Sequence, residues 1–544
     1  AVTVSVAMTR MNNCYTLCAY FEIYLCFKRI ILLMTNSFTP TTYDDLDPDR
    51  RPGFAAALVP ILAVVAFLGV GSAVLGLDPH APLLWSIAAV GGFGLWLGYD
   101  WDELFDGIAN GLVMGLQALL IIFTIYGLIA TWVSAGTIPG LMYYGLEILS
   151  PTTFLPAAAV VAAVVAFAIG SSWTTVGTLG VAFVGIGAGL GVPAPMTVGA
   201  VLSGAYAGDK QSPLSDTTNL AAGVTNTDLY AHIRRMRTGT AIAFGLAVLG
   251  FAALGLRTSG DIPAGEIAAI QGGLTETYAI TVVAFVPLVV TFGLALRGYA
   301  ALPTLVAGVF AGALTTILLQ GTGFVAAWEI FMSGTEPESA STTVNALLDT
   351  GGLTGSAWTI TVVVAALSLG GILERTGCMK VLIEALVARA QTFPRLQTSA
   401  IGSSMATNII AGDPYLAITL TGRMFGPAYR GKGYSMLNLS RATEEGGTLI
   451  SPLIPWNAGG AVVITSLGLT VSGADMTDLL YIPLAFACWL SPLFGVLYAY
   501  TGWFSPKACE DEQQEWIEND EDIMDMDQFH KDVQRTRNSV YRMN

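Results

Sequence analysis

The sequence predicts an all-α polytopic membrane protein made of two inverted-topology repeats with broken or re-entrant helices. Three observations predict it: long uncharged apolar runs, two short tags that recur in order, and an uneven placement of Lys and Arg between loops. The 544 residues are 53% hydrophobic and only 12% charged, with a mean hydropathy of +0.63, far greasier than a soluble domain. Uncharged runs cover 54–77, 107–136, 239–256, 277–296, 300–321, 356–373 and 480–504. Each is close to or above the roughly 20 residues that a spanning helix needs. No period-2 alternation dominates them, which favours helices over a β-barrel. About ten spanning helices are expected. The chain reads as an N-terminal extension (1–52), a first membrane repeat (53–256), a second (277–504) and an acidic cytoplasmic tail (505–544).

The tags support the duplication. Ile169-Gly170-Ser171-Ser172 recurs as Ile401-Gly402-Ser403-Ser404, and Ser212-Pro213-Leu214 recurs as Ser451-Pro452-Leu453. Orientation follows from the excess of Lys and Arg on cytoplasmic loops. Arg50 and Arg51, then Arg234, Arg235 and Arg237, then Arg297, then Arg375, Lys380, Arg389 and Arg395 mark cytoplasmic segments. The intervening loops 258–276 and 322–355 carry acids and are read as external. The halves then cross the bilayer in opposite senses, with both termini cytoplasmic. After each set of three spans comes a short amphipathic stretch, 138–149 and 379–390. Inverted repeats with interrupted helices and midplane sites are the plan of secondary transporters.

Composition excludes several function classes. The balance of 24 basic against 39 acidic residues, net −15, argues against nucleic-acid binding, which needs clustered Lys and Arg. The acid-rich tail reads as a solvated run, and an acid-biased surface suits a high-salt cytoplasm. Residues 1–33 hold Cys14, Cys18 and Cys26 and no signal-peptide cleavage pattern. They are read as an upstream extension, with Met34 as the functional start. The remaining Cys378, Cys488 and Cys509 lie too far apart for a metal cluster. The three histidines, His80, His232 and His530, are assigned to loops or the tail, which leaves no buried Ser-His dyad or His-based zinc site, and the chain is not read as an enzyme. "GPAYRGKG" has Walker-A glycine spacing, but Gly433 stands where Ser or Thr is required. The ladder Gly107, Gly111, Gly115 reads as a helix-packing face.

Charge inside this apolar frame marks the candidate site, because an intramembrane acid is costly unless paired, hydrated or used. "GAYAGDKQSPLSDTTNLAAG" places Asp209, Lys210, Ser212, Asp216, Thr217, Thr218 and Asn219 together, and Pro213 forbids a continuous helix between the two aspartates. "IGSSWTTVGTLG" adds Ser171, Ser172 and Thr174 in a glycine-studded run; such hydroxyls also back-bond to helix carbonyls. The second half offers Asn408 and Asp413, then Glu444, Glu445, Thr448, Ser451 and Asn457, with Pro452 and Pro455 as helix breakers. Asp413 doubles as an N-cap before Pro414. Freed carbonyls, hydroxyls, amides and carboxylates are the oxygen ligands a hard cation takes. The competing structural reading is that Lys210 pairs with Asp209 or Asp216 and pins a loop.

At "GSSWTTVGTLGVA", "GAYAGDKQSPLSDTTNLAAGVTNTDLYAHIRRM", "GDPYLAITLTGRMF" and "NLSRATEEGGTLISPLIPWN" the sequence resembles the NhaC-type sodium/proton antiporter family, over about 53–504. The resemblance implies exchange of sodium for protons across the cytoplasmic membrane without ATP and without a cofactor, in a multi-pass bilayer protein. It departs in the extension before Met34, in the acidic tail, and at Glu444-Glu445-Gly446-Gly447, where a Leu-Glu-Asp-Ser-Gly-like run is expected. Which second-half carboxylate faces the site stays open, with Glu445 named. The oligomeric state also stays open, a homodimer being one option. The same family includes carriers of small organic acids or amino acids, which need a buried base, with Lys210 and Arg423 as candidates, or opposed helix N-termini. On the antiport reading, Asp209 and Asp216 hold either a proton or a sodium ion, since burial favours the neutral form of a carboxylate until a cation replaces the proton. Ser212, Thr217, Thr218 and Asn219 complete the shell, aided by Ser171, Ser172, Thr174, Asn408, Asp413, Glu445, Ser451 and Asn457.

Overall fold

The structure is a computed structural model that describes residues 50–257, 264–469, 477–518 and 523. The chain divides after Arg51. Of the first unit only Arg50 and Arg51 are described, so the extension and the start at Met34 lie outside the described residues, as does His530. The second unit, from Pro52 onward, is helical; the described residues contain isolated bridges and no named strand. Among the described residues eight helices are long and apolar enough to span a membrane, and a ninth is obtained if Ile267–Thr277 and Val282–Leu296, bent by 87°, count as one. Leu62, Val164, Leu249, Leu318 and Leu493 point outward from the bundle, as lipid contact requires.

The count falls short of ten because apolar runs are interrupted. The run 107–136 is two helices that meet at Gly115, Trp101–Met114 and Leu116–Ser134. The glycine ladder is a packing face within the chain: a Cβ on Gly111 would lie 2.3 Å from the Leu367 carbonyl oxygen, and one on Gly107 2.8 Å from the Arg375 Cβ. Segments read as loops hold helices, Ala264–Thr277, Phe324–Ser333 and Thr342–Leu348. The two amphipathic stretches are helices, Thr137–Ile148 and Cys378–Arg389.

The element order recurs. Each 12-residue amphipathic helix is followed by a 19-residue helix, Pro151–Ile169 or Phe393–Ala411, that stops at a glycine of positive φ, Gly170 (72°) or Gly412 (67°). A side-chain cap then restarts the chain, Ser171 in the first case and Asp413 in the second. The tags recur less faithfully. Ser212 and Ser451 both follow the end of a helix, Ala194–Asp209 or Met436–Gly447. Ile169-Gly170-Ser171-Ser172 spans a break, whereas Ile401-Gly402-Ser403-Ser404 lies within the Phe393–Ala411 helix. There Ser404 Oγ donates to the carbonyls of Ala417 and Thr443 at 3.3 and 3.2 Å, so this second copy is a packing point. The structural counterpart of Ser171 is Asp413.

Two assignments made from loops and charge runs change. His80 opens the His80–Trp96 helix, where its ring contacts Asp78 through Nδ1 and Thr361 Oγ1 through Nε2, the latter at 2.7 Å. Burial acts to raise the pKa of Asp78, but hydrogen bonds from Trp358 Nε1 and His80 outweigh it and hold the carboxyl below its usual range. His232 is buried in the Leu229–Arg257 helix, with Nδ1 2.8 Å from Ser440 Oγ. The start of the acidic tail is docked. Glu512, in the Glu510–Glu518 helix, accepts from Ser435 Oγ at 3.1 Å and from Met436 N at 2.9 Å, and Trp516 is buried. A carboxylate at that place serves one of the unpaired N–H groups that begin the Met436–Gly447 helix.

Candidate functional site

Close backbone contact positions the first carboxylate. A Cβ on Gly204 or Gly208 would lie 2.0 or 2.1 Å from the carbonyl oxygens of Ala159 or Ala163. These two glycines therefore let the Ala194–Asp209 helix lie directly on Pro151–Ile169, as small residues four apart do. Asp209 at the end of one helix thereby meets the break at the end of the other. Its Oδ2 accepts from Ser172 N at 3.1 Å and from Ser172 Oγ at 2.7 Å. Asp209 is 2% exposed, and its Oδ1 has no hydrogen-bond partner.

The chain leaves the helix after Asp209, turns through Pro213, and restarts at Asp216 behind Ser215, whose Oγ accepts from Thr218 N at 3.3 Å. Asp216 Oδ2 accepts from Tyr415 Oη at 2.7 Å and from Gln117 Nε2 at 3.3 Å, while Oδ1 accepts from Thr217 N at 2.8 Å. At the second break, Asp413 Oδ1 accepts from Leu416 N at 2.7 Å, and its buried Oδ2 is unpartnered. Asp209 lies at the start of the Ser172 segment, Asp216 in the first turn of its own helix and Asp413 before Pro414, so each of these positive helix ends already has an acid.

These elements enclose a small cavity of about 20 Å³, lined among others by Ser171, Ser172, Asp209, Asp216, Thr217 and Ser451. That is room for one water-sized particle. Trp173, Tyr206, Tyr415 and Thr448 also line it, and Trp173 Nε1 donates to Tyr206 Oη at 3.1 Å. No Lys or Arg is among the lining residues.

The other sequence candidates fall elsewhere. Ser212 Oγ accepts from Leu214 N, and Asn219 is exposed, donating to the carbonyls of Pro213 and Ser215. Thr174 Oγ1 donates to Ser171 Oγ at 2.9 Å, and Thr218 is buried outside the lining. Asn408 and Asn457 form a lock: Asn457 Nδ2 donates to Asn408 Oδ1 at 2.6 Å, and Asn408 Nδ2 donates to Gly446 O at 3.1 Å. Glu445 lies 3.8 Å from Arg441 Nε and against Gly495. Of the two adjacent glutamates, the one that touches the cavity wall is Glu444, whose Oε1 accepts from Thr217 Oγ1 at 3.3 Å. Lys210 pins no aspartate, because its ammonium donates to Ser491 Oγ at 2.7 Å. Arg423 is exposed. Among the described residues no group of three or more His, Cys, Asp and Glu side chains is arranged to hold a metal ion.

Sequence reasoning missed Tyr415, Gln117, Trp173 and Tyr206. Tyr415 had a signal, since it follows the capping pair Asp413-Pro414 directly; the others are brought in by packing.

Fold and site together define a class: a polytopic helical membrane protein whose buried acids gather at interrupted helices. Residues 53–209 and 204–503 match the Na+/H+ antiporter family. The chain belongs to that family. It is 49% identical to an arginine/ornithine antiporter, ArcD, of Halobacterium salinarum, over 86% of this chain and 96% of that one. It is 35% identical to the Na(+)/H(+) antiporter NhaC of Alkalihalophilus pseudofirmus, over 83% and 96% respectively. It is also 32% identical to a malate-2H(+)/Na(+)-lactate antiporter of Bacillus subtilis, over 77% and 88%.

Proposed function

We propose that the chain is a secondary antiporter that exchanges sodium for protons across the cytoplasmic membrane, with Asp209 and Asp216 binding either ion in turn. The observation that carries this reading is the cavity itself, lined by carboxylate and hydroxyl oxygens with no fixed base. A fixed ammonium or guanidinium would fill the place of the cargo cation; here neither candidate for that role lines the cavity, Lys210 donating to Ser491 and Arg423 being exposed. The same arrangement disfavours an anionic cargo such as malate. The recurring element order, with opposite Lys and Arg bias of the halves, supports inverted repeats, cytoplasmic termini and alternating access by rocking of one bundle against the other. The net charge of −15 and the halobacterial relative support a high-salt source.

A second reading has its own observation. The relative at 49% identity is an arginine/ornithine antiporter, and a guanidinium or ammonium head group is a cation that acid oxygens attract as they do sodium; to admit a guanidinium, the cavity of about 20 Å³ has to widen. Transport separates the two. Purified protein in liposomes with a preset pH gradient should dissipate it on addition of sodium; no response to sodium together with uptake of labelled arginine into ornithine-loaded liposomes replaces the first reading with the second. Failure of both assays would sink both.

A further inference from the structure

Lys210 stands one residue after Asp209, at the C-cap of the same helix, and the two side chains diverge. Asp209 turns to Ser172, and the lysine ammonium turns to Ser491 in the Phe486–Thr501 helix. Lys210 is 1% exposed. The ion pairs found among the described residues do not involve it. An ammonium has three donors, and burying its charge against one neutral hydroxyl is costly unless other charges compensate.

The groups that act on it are Glu445, Glu444 and Arg441 from the Met436–Gly447 helix, Cys488 and Ser491 from Phe486–Thr501, and His232 from Leu229–Arg257. Its neighbour in sequence is Asp209. Arg441 is already engaged: Nε is 3.8 Å from Glu445, Nη1 donates to Phe504 O at 3.1 Å, and the guanidinium lies 5.4 Å from the Tyr498 ring centre. Glu444 and Glu445 each keep one buried oxygen without a hydrogen-bond partner. Glu444 is also the acid bound by Thr217 of the cavity wall. Ser491, which holds the ammonium, and Gly495, against which Glu445 lies, are four residues apart on the Phe486–Thr501 helix and so share one face of it. Lysine and cavity wall thus both abut the Glu444–Glu445 pair.

We infer that Lys210 is a tethered counter-cation that sets the net charge of the buried carboxylate centre and so the number of protons or cargo cations the centre takes up. It is a positioning residue for charge and does not touch the cargo. The inference rests on the antiport reading. With Lys210 neutralised, the acids lose one compensating charge and retain a proton or a cation in its place.

The test uses purified wild type and the variants Lys210→Met, Lys210→Arg and Glu445→Gln in liposomes. Exchange is followed across a pH series by an internal pH dye if the wild type exchanges sodium for protons, or by uptake of labelled arginine into ornithine-loaded liposomes if it exchanges those. Removing a neighbouring positive charge makes the acids hold protons to higher pH, so Lys210→Met moves the pH of half-maximal exchange alkaline by about one unit. Lys210→Arg keeps the wild-type profile. Glu445→Gln removes a neighbouring negative charge and moves the profile acid, which keeps the inference testable if Lys210→Met does not fold. A lower rate with unmoved profiles in Lys210→Met or Glu445→Gln overturns the inference and leaves the antiport reading standing. No exchange by the wild type with either cargo overturns that reading and this inference with it.

Discussion

The two helix breaks, Gly170–Ser171 and Gly412–Asp413, share a backbone and differ in where their charge comes from. Each ends a 19-residue helix at a left-handed glycine and restarts behind a side-chain cap. At the first break the cap is the neutral Ser171, and the negative charge arrives from a neighbouring helix as Asp209. At the second the cap is itself the acid, Asp413. A carboxylate spent on its own helix end is fixed by local backbone; one delivered from another helix moves whenever the two helices move. On the proposed antiport reading, this difference leads us to propose the first break for exchange and the second for support.

The largest effect expected is therefore at Asp209. Asp209→Asn and Asp216→Asn should each lower exchange about tenfold or more, the scale of losing one hydrogen-bonded charge. Asn caps a helix as well as Asp does, so Asp413→Asn should stay within about threefold of wild type in the same dye assay. Asp413→Ala should instead lower stability by about 1 kcal/mol. If Asp413→Asn abolishes exchange, the breaks are equivalent and the comparison fails.

Next in size is the backbone. Alanine at either glycine must adopt a left-handed conformation, at about 1–2 kcal/mol. A Cβ at Gly170 would also lie 2.5 Å from the Leu214 carbonyl carbon and 2.7 Å from Ser215 N, whereas at Gly412 the nearest atom is the Ala366 Cβ at 2.7 Å. The first contact is with the turn that carries Asp216, and it is backbone. Gly170→Ala should lower the thermal midpoint in detergent more than Gly412→Ala, and should lower exchange in the surviving protein as well.

What the sequence made legible follows from range. Pro213 between two aspartates, and Asp413 before Pro414, are signals within a few residues, and the helices do end and restart there. Glu444 and Glu445 are adjacent, and on a helix adjacent side chains point about 100° apart. Which one faces the cavity depends on the rotation of the Met436–Gly447 helix, fixed by Gly446 against the Ile401 carbonyl and by Gly495 beside Glu445. No local pattern encodes that rotation. Lys210 was drawn to its aspartate neighbours by proximity in sequence, while its partner, Ser491, lies on a different helix far along the chain. His232 looked like a loop residue because the run Arg234 to Arg237 hides a helix that begins at Leu229.

The smallest effect sharpens the comparison most directly, because one hydrogen bond ties the second break to the turn that packs on the first. Tyr415 belongs to the first turn of the helix that Asp413 caps, and its hydroxyl donates to Asp216 Oδ2 at 2.7 Å. Tyr415→Phe keeps the ring, including its edge contact with Trp173 at 6.5 Å between centres, and removes only the donor. A bond to a charged group contributes about 1.5–3 kcal/mol when nothing replaces it. Gln117 and the backbone of Thr217 remain on the same carboxylate, and the cavity admits a water-sized particle, so a residue of about 0.7 kcal/mol is expected, equivalent to about half a pH unit. The sign follows from what the hydroxyl does: it favours the ionised acid, and without it the proton is held to higher pH. The pH of half-maximal exchange should shift alkaline by that amount with the maximal rate nearly unchanged. An unmoved profile would mean that the second break supports the first by packing alone, and a lost maximal rate would mean that Tyr415 takes part in cargo binding.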